Sequence, residues 1–380
     1  MKIGIDFTSA IYDRGVSRYT KNLVRSLLEL SGNEIALYGS SFRQRDQLEQ
    51  TAKALIAETQ SEDNVKLAFQ KYPPSALQLM WKLGLNPVKK STGDIDVFHS
   101  WDWIQPPDKD IPIVSTIHDL AIIKYPETAH PKVLKAHEES WKILKERDAE
   151  IIAVSQATKK DIINFLAIPS YRIHVIPEAL PREIRIVNEG MSEDLAEKIK
   201  SEYALQKPYL LFVGTREPRK NLQRLIEAWQ PLQNDLDLIV VGAAGWDETE
   251  EIQHSGLRFL GKVSDQVLNV LYAEAEVFVY PSLDEGFGLP ILEAFYHGTP
   301  TVTSNVSSLI EVAGNAAELI NPEDVGDITR GIQSILNENP QEQQQRLQRM
   351  IIRTHMFSWH LVADQTMEVY KKAITNYEEQ

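Results

Sequence analysis

The chain has 380 residues, 43% of them apolar and 25% charged, and it contains no cysteine. That length exceeds one ordinary core and implies two domains. The missing thiols exclude a disulfide framework, thiol catalysis and cysteine-bound zinc, and no apolar run approaches the ~18–20 residues of a membrane span. The net charge of −14 lies in the second half: residues 1–180 carry 23 basic and 23 acidic side chains, residues 181–380 carry 17 and 31. Neither half is basic, which argues against nucleic-acid binding.

Met1 leads straight into an alternating strand over residues 1–7, with no signal-like stretch, as suits a cytoplasmic protein. A polar loop, Thr8 to Ser17, holds Asp13-Arg14-Gly15, and apolar residues at helical spacing follow from Arg18 to Leu30. The order is strand, Gly-containing loop, helix, without the G-x-G-x-x-G of a dinucleotide site. A second strand is expected at Glu34–Tyr38. Residues 42–92 are polar and basic with apolar interruptions, among them Tyr72, Leu79, Trp81 and Leu85 beside Lys71, Lys82, Lys89 and Lys90. They read as a helical excursion packed on the first domain, or as a peripheral contact with a membrane surface or lipid-linked acceptor.

Strands are expected at Asp94–His99 and Ile113–His118, each delivering a polar residue at its C-terminal end, where open α/β sheets bind ligands. Between them, Trp101-Asp102-Trp103 suits a saccharide, because indole faces pack on sugar C–H groups. A hydrophobic plug over the sheet edge is the competing reading. Further strands at Ile151–Ser155 and Ile173–Pro177, with helices between, complete a doubly wound parallel sheet. Residues 181–207 read as a charged helical connector.

A second α/β domain starts at the strand Tyr209–Gly214. Its first loop, Thr215 to Asn221, carries Arg216 and Lys220 between strand end and helix start, where a planar fork and a mobile point charge both suit a diphosphate. Strands at Leu236–Gly242 and Leu257–Val263 follow. Asp94-Ile95-Asp96 and Asp235-Leu236-Asp237 are D-x-D patterns, which elsewhere hold a divalent metal with a sugar nucleotide. Both fall at strand entries, away from the ligand-binding ends, so they read as structural and no metal site is assigned.

The most informative stretch is Val277 to Phe295. A short buried strand, Val277–Tyr280, is followed by the loop Pro281 to Gly288 and by a helix with Pro290 in its first turn. This geometry offers backbone N–H groups and the positive end of a helix dipole to an anion. Glu285 in the loop and Glu293 one turn into the helix bracket it. A carboxylate only accepts hydrogen bonds, so the pair suits sugar hydroxyls; acidic decoration of a helix N-terminus is the plainer alternative.

Glu285-Gly-Phe-Gly-Leu-Pro-Ile-Leu-Glu-Ala294, followed by Gly298 to Asn305, resembles the retaining glycosyltransferases of family 4. So do His118-Asp119-Leu120 and the segment from Val213 to Asn221. The resemblance implies the GT-B fold, with two Rossmann-like domains facing a cleft: residues 1–185 for the acceptor, 186–357 for the nucleotide sugar, and a C-terminal helix over about 358–380 crossing back to the first. It implies His118, Arg216, Lys220 and Glu285 as catalytic residues. The donor falls to Gly15, Val263, Gly286, Phe287, Gly288, Leu289 and Glu293, with Glu293 on the ribose. No metal is obligatory. The donor is a nucleoside-diphosphate hexose, UDP-glucose ahead of GDP-mannose. The acceptor is a saccharide or lipid-linked saccharide of polysaccharide biosynthesis. Three motifs depart from the family pattern: the second glycine of the first loop is Ser17, the usual P-N-G reads Pro177-Glu178-Ala179, and the Glu that usually follows F-S-W is His360, a surface change. A nucleotide-sugar 2-epimerase shares the fold and is the rival enzyme; a non-catalytic binding module is the other alternative.

Overall fold

The computed structural model describes residues 1–12, 15–245 and 254–379. Asp13 and Arg14 of the first loop lie outside the described residues. The chain forms two compact units, Met1–Glu178 with Ser358–Gln380, and Ala179–Phe357.

The first unit is built on seven parallel strands: β1 (Lys2–Asp6), β2 (Glu34–Ser40), β3 (Val65–Gln70), β4 (Val97–Trp101), β5 (Ile113–Ile117), β6 (Glu150–Ala153) and β7 (Ile173–Val175). Their order is β3-β2-β1-β4-β5-β6-β7. Strands β4, β5 and β6 are buried at every residue, as a parallel sheet covered on both faces requires, and their Val, Ile and Phe runs supply that burial. β3 was not expected from the sequence. It lies inside the segment read as helical, and its alternation Val65-Lys66-Leu67-Ala68-Phe69-Gln70 suits an edge strand with one covered face. The helical reading holds for Pro74–Lys82, whose Leu77 and Trp81 are buried with Tyr38 and Phe98.

The helix Trp359–Glu378 completes this unit. Ser358 caps its start by accepting the Leu361 N–H. The Tyr370 hydroxyl sits 2.6 Å from His99 Nδ1, and Trp359 packs edge-on against Tyr19. His99 also contacts the Thr116 hydroxyl at 2.9 Å, and burial pushes its imidazole down to about 3. His99 is therefore a neutral packing post for this helix, not an open polar group at a strand end.

The second unit has six parallel strands: β8 (Tyr209–Val213), β9 (Asp237–Val241), β10 (Leu257–Gly261), β11 (Val277–Tyr280), β12 (Thr301–Ser304) and β13 (Glu318–Ile320). Their order is β10-β9-β8-β11-β12-β13. The three-residue β13 was too short to be read from the sequence. Residues 181–207 contribute two helices, Arg182–Glu189 and Glu193–Glu202, to this unit. In each sheet the strand order reverses beside the first strand, between β1 and β4 and between β8 and β11. Loops leaving the two switch strands diverge to opposite faces, and the crevice between them is where such sheets bind ligands.

Candidate active site

In the second unit the switch-point crevice is formed by the loop after β8 and the loop after β11. The two are stitched together by the Leu283 N–H, which donates to the Arg219 carbonyl at 2.7 Å, and by the Asn221 side-chain amide, which donates to the Pro281 carbonyl at 3.0 Å and also to that of Pro322, beyond β13, at 2.7 Å. Asn221 takes a left-handed conformation, which ends the turn Pro218–Lys220 and starts the helix Leu222–Trp229.

This stitching buries two cations, Arg216 and Lys220, and half-buries a third, Arg219. Arg216 and Lys220 are only 5% and 8% exposed. The Arg216 guanidinium lies 5.1 Å over the Phe259 ring. The Lys220 ammonium donates to the Tyr280 hydroxyl at 2.7 Å and to Glu285 Oε1 at 2.5 Å. Arg219 donates to the other oxygen, Glu285 Oε2, at 2.8 Å and also pairs with Glu217. Burial alone would raise the Glu285 carboxyl, but Arg219 and then Lys220 more than cancel that and hold it at about 2. Burial draws the Lys220 ammonium below its ordinary value, against the pull of Glu285. The Glu285 carboxylate is thus engaged by two cations, where the sequence suggested one open to sugar hydroxyls.

The loop carrying Glu285 is fixed from the start of the helix Ser307–Ala313, which follows β12. Ser307 and Ser308 donate to the Glu285 carbonyl at 2.9 and 2.8 Å, and Ser308 also donates to the Phe287 carbonyl at 2.8 Å. Gly288 has φ +111°, and a Cβ there would meet Leu309 at 2.9 Å, so only glycine lets the chain turn into the helix Leu289–Tyr296. Gly286 and Leu289 flank this turn. Phe287 is buried edge-on to Phe357. Glu293 is buried one turn into the helix and accepts from the Tyr272 hydroxyl at 3.1 Å. Val263 lies two residues beyond β10, just ahead of the helix Asp265–Glu274.

In the first unit, His118 follows the end of β5. Its Nδ1 lies 2.9 Å from Glu178, and its ring meets Tyr19 edge-on at 4.7 Å. Trp101 is 3% exposed, and its indole N–H donates to the Asp6 carbonyl at 2.7 Å. A ring sealed in this way offers no face for stacking a sugar, which corrects the expected acceptor role. Asp102 is occupied by Trp141 at 3.2 Å and His137 at 3.3 Å. Trp103 lines a cavity of about 230 Å³, together with Trp81, Gln105 and Glu139. Gly15 is the first residue of the helix Gly15–Glu29, and a Cβ there would meet nothing within 4 Å, so no steric need for glycine is visible.

The two D-x-D patterns sit where expected. Asp96 accepts the Lys2 N–H at 2.7 Å, and Asp237 pairs with Lys207 at 3.0 Å, both at strand entries. Among the described residues no group of three or more His, Asp or Glu is arranged to hold a metal ion.

The family model described as Glycosyl transferases group 1 matches residues 194–353, and that described as Glycosyltransferase Family 4 matches residues 14–183. The O-antigen chain mannosyltransferase B of Escherichia coli is 33% identical over 376 residues, covering 94% of this chain and 96% of that one. The chain belongs to the family 4 glycosyltransferases. Among solved structures, a glycosyltransferase from Rickettsia africae ESF-5 matches with a TM-score of 0.72 at 16% identity, covering 99% of both chains. Anabaena HepE in complex with UDP and glucose matches at 0.67 and 16%, covering 98% of this chain and 100% of that one. These likenesses show the fold, which is GT-B.

Three residues of the glycosyltransferase escaped the sequence reading. Arg219 was visible beside Lys220, but nothing local showed which of three neighbouring cations would reach Glu285. Tyr280, at the end of β11, read only as a core aromatic. Glu178 stood out only as a departure from the family pattern.

Proposed function

We propose that the protein transfers a hexose, with retention at the anomeric carbon, from a nucleoside-diphosphate sugar to a saccharide or lipid-linked saccharide acceptor in polysaccharide biosynthesis. The observation that carries this reading is that the loop after β8, at the switch point of the second unit, holds two buried cations, Arg216 and Lys220, with the half-buried Arg219 between them in sequence. Three cations on one loop, hydrogen-bonded to the loop that leads into the helix Leu289–Tyr296, fit a diphosphate whose charge grows as it leaves, an electrostatic mode of catalysis. Glu293 is assigned to the ribose, and the backbone of the loop from Gly286 to Leu289 to the phosphates and sugar. The base is assigned to the chain near Val263.

Glu285 is held at about 2 and therefore takes no proton near neutral pH. Each of its oxygens accepts from one cation and keeps a lone pair that a sugar hydroxyl can still use, so it suits a brace for Lys220 and a fixed acceptor, not a general base. A front-face displacement is consistent with this. The acceptor oxygen bonds the anomeric carbon on the face from which the C–O bond to phosphate breaks, and the leaving phosphate oxygen takes the acceptor proton.

Mannose replaces glucose as the first choice of sugar, supported by the relative of matching length named a mannosyltransferase. GDP-mannose is then the donor. UDP-glucose is the alternative, supported by the fold neighbour bound to UDP and glucose. Leu79, Leu83 and Leu85 are exposed beside Lys71 and Lys90, which favours peripheral contact of the first unit with an anionic membrane on the cytoplasmic side. No helix among the described residues is long and apolar enough to cross a membrane.

The test is a panel of radiolabelled nucleotide sugars with a lipid-linked saccharide acceptor. Label transferred from GDP-mannose, with α configuration conserved by NMR, is expected. An epimerised donor with no transfer would favour the 2-epimerase, and binding with neither outcome would favour a non-catalytic module.

A further inference from the structure

His118 and Glu178 reach the same end of the first sheet from different strands, His118 one residue beyond β5 and Glu178 three residues beyond β7. Glu178 is 6% exposed, and its Oε1 lies 2.9 Å from His118 Nδ1. The ring is held in place on several sides. Tyr19 meets it edge-on at 4.7 Å, Trp101 lies tilted at 6.2 Å, and the His118 carbonyl accepts from the Thr158 hydroxyl at 3.2 Å. The other ring nitrogen, Nε2, is buried and has no hydrogen-bond partner among the described residues. A buried polar atom left unpaired opposes folding, and sites keep such atoms where a ligand completes them.

We propose that Glu178 is a positioning residue of this site: it accepts the Nδ1–H of His118, so that the fixed ring donates its Nε2–H to an oxygen of the bound ligand, a sugar hydroxyl or a phosphate oxygen. The proposal rests on the transferase reading given above. A carboxylate on Nδ1 fixes the orientation of the imidazole and favours its doubly protonated form, which carries the Nε2–H.

The surrounding groups agree. Burial on its own would lower the His118 pKa. The hydrogen bond and charge of Glu178, with the charges of Asp102 and Asp119, raise it above the ordinary value instead. Of the other titratable groups facing the ring, His99 is held neutral at about 3, and burial keeps the Tyr19 phenol protonated. The imidazolium form, with a proton on each nitrogen, is the form that donates. Activity is present below the raised pKa and falls as pH rises through it.

The test compares wild type, Glu178→Gln and His118→Asn as full chains. Glu178→Gln keeps an oxygen on Nδ1 and removes the charge. NMR titration of the histidine C–H signals, with His118 assigned from the His118→Asn spectrum, is expected to show a lower midpoint in Glu178→Gln. The pH profile of kcat/KM should lose its high-pH limb earlier by the same displacement. At pH 8 the loss should be about 10- to 100-fold, the effect of one charge-assisted hydrogen bond, and it should shrink toward pH 6. An unmoved midpoint, or a uniform loss at every pH, would reduce Glu178 to a structural contact and overturn the proposal. A wild type that transfers no sugar would instead refute the transferase reading. The NMR arm needs no substrate and still decides the pair.

Discussion

Replacing Glu285 by Gln removes one negative charge from between Lys220 and Arg219 and leaves the shape of the loop unchanged. The size of the effect follows from the site. A carboxyl held at about 2 in place of the ordinary 4.5 stabilises the folded unit by about 3 kcal/mol through proton linkage. Breaking a buried ion pair from one side costs about 3–5 kcal/mol by general experience, which agrees. For a unit of this size, Ala179–Phe357, 1 kcal/mol moves the midpoint by about 2–4 °C, so Glu285→Gln should melt about 6–12 °C below wild type at pH 7. The pH dependence has a fixed sign. The carboxyl is depressed in the folded state, so its contribution is complete above pH 4.5 and is lost as pH falls from there through about 2. The gap between wild type and Glu285→Gln should therefore narrow at pH 3. Calorimetric unfolding at the two pH values is the assay. Lys220→Met provides the cross-check, since it should cost less in the Glu285→Gln background than in wild type. A gap under about 1 kcal/mol at pH 7, or the same gap at both pH values, would refute the reasoning.

Arg216→Ala should lower kcat/KM by on the order of 10²–10³, like the loss of one transition-state donor; turnover near wild type would remove Arg216 from the site. Glu293→Gln should weaken binding of both free nucleoside diphosphate and intact donor more than about tenfold, whereas Glu285→Gln should spare the diphosphate and damage transfer. Calorimetry that finds equal diphosphate losses in the two variants would reject that division. Activity should survive a chelator, because Asp96 and Asp237 serve strand entries; abolition with rescue by Mn²⁺ would show that a D-x-D pattern binds metal after all.

Most of both sheets was legible because a parallel strand covered on both faces must be a short apolar run, and Val277–Tyr280 or Ile151–Ala153 can hardly be anything else. β3 and β13 were not, since an edge strand is half polar and three residues carry no period. Within the site, the loop and helix from Pro281 to Phe295 were visible through Gly288 and Pro290. The pairings were not. Lys220 and Glu285 are 65 residues apart, and His118 and Glu178 are 60 apart. Local pattern places each partner at a strand end, but only the strand order brings the ends together. Trp101 misled because an indole beside a carboxylate looks the same in sequence whether its face is open or sealed by Tyr19 and His118.

The helix Trp359–Glu378 has a consequence for how the chain is made. Residues 1–178 leave the ribosome first, yet His99 and Tyr19 wait for Tyr370 and Trp359, which emerge last. The second unit, encoded in the middle, is continuous and can close its core around Trp229 while the first is still short of its final helix. The second unit can then be completed before the first, although the first begins to be made earlier. A nascent chain with residue 357 just clear of the ribosome could carry a finished second unit and a first unit with an uncovered apolar sheet face, a substrate for chaperones.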